Sequence, residues 1–136
     1  MYTIKDIAAK FNIPASTIRY YEEIGLLENV EHKDGYHRKF DESHIERMNA
    51  IDCFKKSGLP LSDIKQFFEY EKNIANNSGK ILEMMKNQEK VTLDKIADLE
   101  KGLANVRKKI KYYTAVDEAI KAGQEIPSWE DAIFLE

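Results

Sequence analysis

The sequence predicts a mainly α-helical chain with a short β-hairpin: a winged helix-turn-helix head followed by one long helix that pairs with a second copy. Three observations point there. Two short amphipathic stretches near the N-terminus are separated only by Phe11-Asn12-Ile13-Pro14. The turn signal Asp34-Gly35 divides a stretch rich in Lys, His and Arg. From about Lys80 to Ala122 there is no proline, and apolar residues recur at alternating steps of three and four.

The first helix starts at Thr3, which stands three residues before Asp6 as in a capping box, and Ile4, Ile7, Ala8 and Phe11 follow at i, i+3, i+4 and i+7. Asn12 suits a left-handed C-cap and Pro14 forbids continuation, so the chain turns and restarts within a few residues. The second helix is expected from about Ala15 to Ile24, stopped by Gly25. Ala15, Ile18 and Tyr21 share one of its faces, while Ser16, Arg19, Tyr20 and Glu23 share the other. Glu28 to Phe40 reads as the hairpin, with Lys33, Tyr36, His37, Arg38 and Lys39 on its strands.

Asp41 can cap a third helix with Ile45, Met48, Ile51 and Phe54 along one side, ending at Ser57-Gly58. After the break at Leu59-Pro60-Leu61, a fourth helix to about Tyr70 buries Ile64, Phe67 and Phe68. The expected division is a head over residues 1–72, a linker over 73–79, a coiled-coil helix over 80–122 and a tail over 123–136. Ile96, Leu99, Leu103, Val106, Ile110 and Tyr113 form an a/d seam on that helix. At about 1.5 Å per residue the helix would be roughly 60 Å long, more than the small head can cover, so the seam calls for an identical partner. The tail carries Trp129, Ile133, Phe134 and Leu135, enough to dock but not to form a domain.

Composition narrows the function. At 136 residues, 43% hydrophobic and 33% charged, the chain is too small for most large-core catalytic architectures. No apolar run approaches the roughly 20 residues that span a bilayer, and the N-terminus has no secretory pattern, so a soluble cytoplasmic protein is expected. One cysteine, Cys53, excludes an intrachain disulfide framework and a thiolate-rich metal site. His32, His37 and His44 have no zinc-like spacing and read as solvated or phosphate-near side chains. With no glycine-rich phosphate cradle and no nucleophile elbow, the chain reads as neither an enzyme nor a cofactor protein.

The net charge of −3 argues mildly against nucleic-acid binding, and residues 1–70 hold ten Lys and Arg against twelve Asp and Glu. Positive charge must therefore be placed rather than abundant. Arg19 can donate in a fork to guanine or phosphate, and Ser16, Thr17 and Tyr20 can bond phosphate oxygens, as a helix in a major groove requires. A solvated helix face is the competing reading. The adjacent wing, with Lys33, Tyr36, Arg38 and Lys39, shifts the balance because it can grip the flanking backbone. Charged residues on an exposed hairpin also prevent edge pairing.

Tyr2-Thr3-Ile4, the string Thr17-Ile18-Arg19-Tyr20-Tyr21-Glu22 with Ile24-Gly25-Leu26-Leu27, and the wing Gly35-Tyr36 with Arg38 and Phe40 together resemble the MerR family. Ile45-Glu46-Arg47-Met48 through Gly58-Leu59-Pro60-Leu61-Ser62-Asp63-Ile64 extends the resemblance to about residue 70. It implies an antiparallel coiled-coil homodimer in the bacterial nucleoid that binds a palindrome in double-stranded promoter DNA. Such a dimer distorts the spacer, and RNA polymerase meets the regulator only through the shared promoter. Thr3, Ser16, Thr17, Arg19, Tyr20, Tyr36, His37, Arg38 and Lys39 are the DNA-contact candidates. The wing is one residue longer than the family's Gly-Tyr-Arg because His37 intervenes, and either His37 or Arg38 can be the one that reaches phosphate.

Cys53 falls where an aldehyde- and electrophile-responsive branch of the family carries its sensing thiol, so electrophile or thiol stress is the implied signal. Metal-sensing branches use several Cys or His near the long helix or beyond it, and this chain has none after residue 53. The helix angle turns Cys53 roughly 160° away from the Ile45–Phe54 stripe, and a buried, inert thiol is the competing reading. Lys56, one turn on, favours the thiolate, whereas the helix C-terminus disfavours it by up to about 1 kcal/mol. Two other readings stay open: an excisionase-like architectural DNA-bending protein, and a coiled-coil interaction adaptor that does not bind DNA.

Overall fold

The structure is a computed structural model of the 136-residue chain and describes residues 1–33 and 37–134, the last two by backbone alone. The order of elements is β1 (Tyr2–Thr3), α1 (Ile4–Phe11), α2 (Ala15–Glu23), β2 (Glu31–Lys33), β3 (His37–Phe40), α3 (Glu42–Lys56), α4 (Leu61–Glu71), α5 (Ile74–Lys121) and α6 (Trp129–Phe134). They form two compact units, Met1–Lys90 and Val91–Glu136. Among the described residues no helix is long and apolar enough to cross a membrane.

In the first unit, local chemistry sets the helix ends. Thr3 accepts the Asp6 amide and Asp6 accepts the Thr3 amide, closing the expected capping box, and Asn12 ends α1 at φ 52°. Gly25, at φ +86°, turns the chain after α2, where a side chain would be strained. Asp41 accepts the Ser43 and His44 amides to start α3. These turns direct Ile7, Ile18, Tyr21, Leu26, Leu27, Phe40, Ile45, Met48, Ile51, Leu59, Ile64 and Phe68 into one core. Phe54 and Phe67 lie at its margin, edge to face at 4.9 Å.

Three findings differ from the sequence expectation. The hairpin gains a third strand: β1 pairs with β3 through Tyr2–Phe40 and Thr3–Lys39, giving the order β1-β3-β2. His44, expected in solvent or near phosphate, is buried, because both ring nitrogens find backbone partners and its edge meets Phe40 at 5.6 Å. The linker expected over 73–79 is helical from Ile74. There Asn73 accepts the Asn76 amide, and Asn77 donates to the Tyr70 carbonyl, so asparagines that resembled chain breakers serve as helix-end bonds.

In the second unit, α5 ends at Gly123, φ +69°, where the Gln124 amide reaches the Ala119 carbonyl at 2.8 Å. The tail folds back on its own helix. Tyr112 donates to the Pro127 carbonyl at 3.2 Å, the Trp129 ring lies 5.2 Å from the Tyr112 ring, and Lys109 approaches the Trp129 face at 5.5 Å. Ala119 and Ala132 are buried there.

Candidate nucleic-acid interface

α2 presents two sides of different character. Ile18 and Tyr21 are buried in the core, while Ser16, Arg19, Tyr20 and Glu23 are exposed and Thr17 is half-buried. Ser16, Arg19, Tyr20, Glu22, Glu23 and Arg38 line a hollow of about 510 Å³. Beside it, a groove of about 640 Å³ is lined by Thr3, Ile4 and Lys5 at the start of α1, Arg19 of α2, and Lys33, His37, Arg38 and Lys39 of the wing. Arg19 and Arg38 border both.

This arrangement shows how a head that is not basic overall can present a basic face. Five Lys and Arg side chains from α1, α2 and the wing line the groove, with His37 among them, and none of its described lining residues is a carboxylate. Thr3 sits at the groove, but its hydroxyl oxygen already accepts the Asp6 amide. Lys5 is an addition that the sequence pattern did not single out. It reaches the wing because β1 pairs with β3, and a two-residue strand has no readable period. Tyr36 lies outside the described residues.

His37 is exposed, whereas Arg38 is half-buried and its Nε donates to Glu22 Oε1 at 2.7 Å. Glu22 Oε2 lies 2.7 Å from His32 Nε2. Burial would push the Glu22 carboxyl up, but hydrogen bonds from Arg38 and His32 outweigh it and hold the group below the ordinary glutamate value. Of the two wing candidates, His37 is thus the more open and Arg38 the one anchored to α2.

Cys53 is exposed on α3. Lys56, expected to support a thiolate, places its ammonium 2.9 Å from Asp52, and that hydrogen bond raises the lysine above its ordinary value. Much of its charge is therefore already answered by a carboxylate. Among the described residues no group of three His, Cys, Asp or Glu is placed to hold a metal ion. On α5, all six seam residues, Ile96, Leu99, Leu103, Val106, Ile110 and Tyr113, are 46% to 74% exposed in the single chain. A row of large apolar side chains that open to water needs a cover.

A family model described as MerR HTH family regulatory protein matches residues 2–71. An uncharacterized HTH-type transcriptional regulator of Haemophilus influenzae is 31% identical over 112 residues, covering 82% of this chain and 83% of that protein. The HTH-type transcriptional regulator AdhR of Bacillus subtilis is 34% identical over 64 residues, 47% of this chain and 46% of its own length. Among solved structures, HiNmlR, a MerR family regulator lacking the sensor domain and bound to promoter DNA, aligns over 99% of this chain and 96% of its own at TM-score 0.77 and 29% identity. A MerR family transcriptional regulator from Bacillus thuringiensis aligns over 80% of this chain and 96% of its own at TM-score 0.68 and 33% identity.

Proposed function

The chain belongs to the MerR family of helix-turn-helix transcription regulators, and from that premise we propose that it binds promoter DNA as a homodimer and acts by distorting the spacer. The observation that carries this is the groove in which Arg19 of α2 meets Lys5 of α1 and Lys33, His37 and Lys39 of the wing. Placed beside α2, these cations serve the phosphates that flank a major groove, while Arg19 reads base edges and Ser16 and Tyr20 bond phosphate oxygens beside it. HiNmlR, which aligns along nearly the whole chain, is itself bound to promoter DNA.

The apolar seam of α5 supplies the dimer. Two heads joined through paired helices suit a palindrome, and a small change at the helix pair would move both heads, so RNA polymerase reads the altered duplex rather than the protein. An excisionase-like bending protein has no need of such a seam, and an adaptor without DNA binding has no need of the groove. The test is a mobility shift on the DNA upstream of the gene for this chain, against a scrambled duplex. The wild type should prefer the upstream DNA, and Arg19→Ala should lose that preference while staying dimeric. Specific binding retained by Arg19→Ala contradicts the assignment.

We further propose Cys53 as the sensing thiol for electrophile or thiol stress. Its exposure on α3, away from the core, leaves the sulfur accessible to a small electrophile. Cys53→Ala should keep DNA binding and lose induction by aldehydes in cells. Induction that survives the substitution removes the thiol from the mechanism.

A further inference from the structure

The wing has little apolar purchase on the head. All three residues of β2, Glu31, His32 and Lys33, are exposed, and on β3 only Phe40, at its far end, is buried. β1 pairs with β3 only at the base, through Phe40 and Lys39, so the outer rungs of β2 and β3 have two strands alone and are marginal without further support. One side chain provides a tie. Glu22, in the last turn of α2, accepts Arg38 Nε–H on one carboxylate oxygen and meets His32 Nε2 with the other, each at 2.7 Å. His32 and Arg38 face each other across β2 and β3, so a single carboxylate grips both strands at one rung. The adjacent rungs carry Lys33 opposite His37 and Lys39 opposite Glu31.

A carboxylate beside a phosphate-binding groove repels DNA, so on charge alone its removal should strengthen binding. Its two bonds argue for the opposite sign. We infer that Glu22 is a positioning residue for DNA recognition, holding the wing to α2 at the angle that lets Lys33, His37 and Lys39 meet the backbone while Arg19 meets the bases. The inference rests on the DNA-binding reading above. It makes the angle between α2 and the outer wing, beyond the β1–β3 pairing, depend on one rung, with Arg38 acting as an anchor before it acts as a phosphate ligand.

Fluorescence anisotropy on a duplex with the DNA upstream of this chain's gene, over a range of salt, tests it with wild type, Arg19→Ala, Glu22→Ala and Glu22→Gln. Glu22→Ala should bind about tenfold more weakly, since charge-assisted bonds that fix the wing are lost. Its log–log salt slope should shrink by about 3.6, for two wing phosphates in each of the dimer's two heads at about 0.9 each. Glu22→Gln keeps a carbonyl oxygen for Arg38 and should stay within about threefold of wild type. Hydroxyl-radical footprints with saturating Glu22→Ala should lose protection at the wing phosphates and keep it at the α2 contacts.

Tighter binding by Glu22→Ala, an equal loss for Ala and Gln with an unchanged slope, or a footprint that fades uniformly would each overturn the role. If wild type binds the duplex specifically and Arg19→Ala does not, the DNA-binding reading stands and the Glu22 variants alone decide. A wild-type chain with no preference for the duplex over a scrambled one overturns that reading, and the inference with it.

Discussion

The buried His44 ring donates from Nε2 to the carbonyl oxygen of Glu28, 2.8 Å away, and accepts the Asp41 amide at Nδ1 at 3.0 Å. One imidazole therefore joins the strand-entry loop to the start of α3 and fixes the Nε2–H tautomer. His44→Ala leaves the part-buried Glu28 carbonyl and a helix-start amide without their partner. The expected loss is about 2–3 kcal/mol in urea unfolding, with the slope of the transition unchanged. A loss under about 0.5 kcal/mol, the range of an ordinary surface substitution, contradicts the joint.

Acid should loosen the head through its cap and wing carboxylates. Asp6 is held low by the Thr3 backbone amide, Asp41 by the Ser43 hydroxyl, and Glu22 by bonds from Arg38 and His32 that exceed the cost of its burial. Each pKa is lowered on folding, so its contribution is complete above the ordinary carboxylate range of about 4, and is lost as pH falls through the folded value below it. Urea midpoints should hold from pH 7 to about 5 and drop below about 4. The Asp41→Asn variant should show a shallower drop; a drop as steep as that of wild type contradicts the cap's share.

The seam on α5 should be the dimer's weak point for charge. An apolar side chain of this size contributes roughly 1.5–3 kcal/mol on burial, and a dimer loses two, so Leu103→Glu should raise the dimer Kd by at least about 100-fold. Sedimentation equilibrium reads this directly. Since Leu103 lies outside the first compact unit, the near-ultraviolet spectrum of Tyr21 and its core neighbours should not change. A Kd unchanged by the glutamate would place the partner surface elsewhere.

The helices of the head were legible because their ends carry chemistry of their own. Thr3 and Asp6 cap each other, Asn12 takes the left-handed turn, and Asp41 accepts two amides. Each is a local event within four residues, and the apolar spacing between them gave the buried faces. The exposed side of α2, with Ser16, Arg19 and Tyr20, followed from the same arithmetic. What stayed hidden depends on register. β1 is two residues long and becomes a strand only by pairing with β3, and with it Lys5 enters the groove. Glu22 finds partners 10 and 16 residues away, and only the pairing of His32 with Arg38 makes it a bridge. The start of α5 resembles a linker because Asn73, Asn76 and Asn77 look like breakers until the side chains of Asn73 and Asn77 are seen bonded to nearby backbone.

The most direct test of a DNA-binding dimer is a hydroxyl-radical footprint of the wild-type chain on the DNA upstream of its own gene. Two protected half-sites should appear, related by a two-fold axis and separated by about one helical turn or a multiple of it, with altered reactivity between them where the duplex is distorted. A single protected patch, or protection spread evenly along the duplex, would contradict the account.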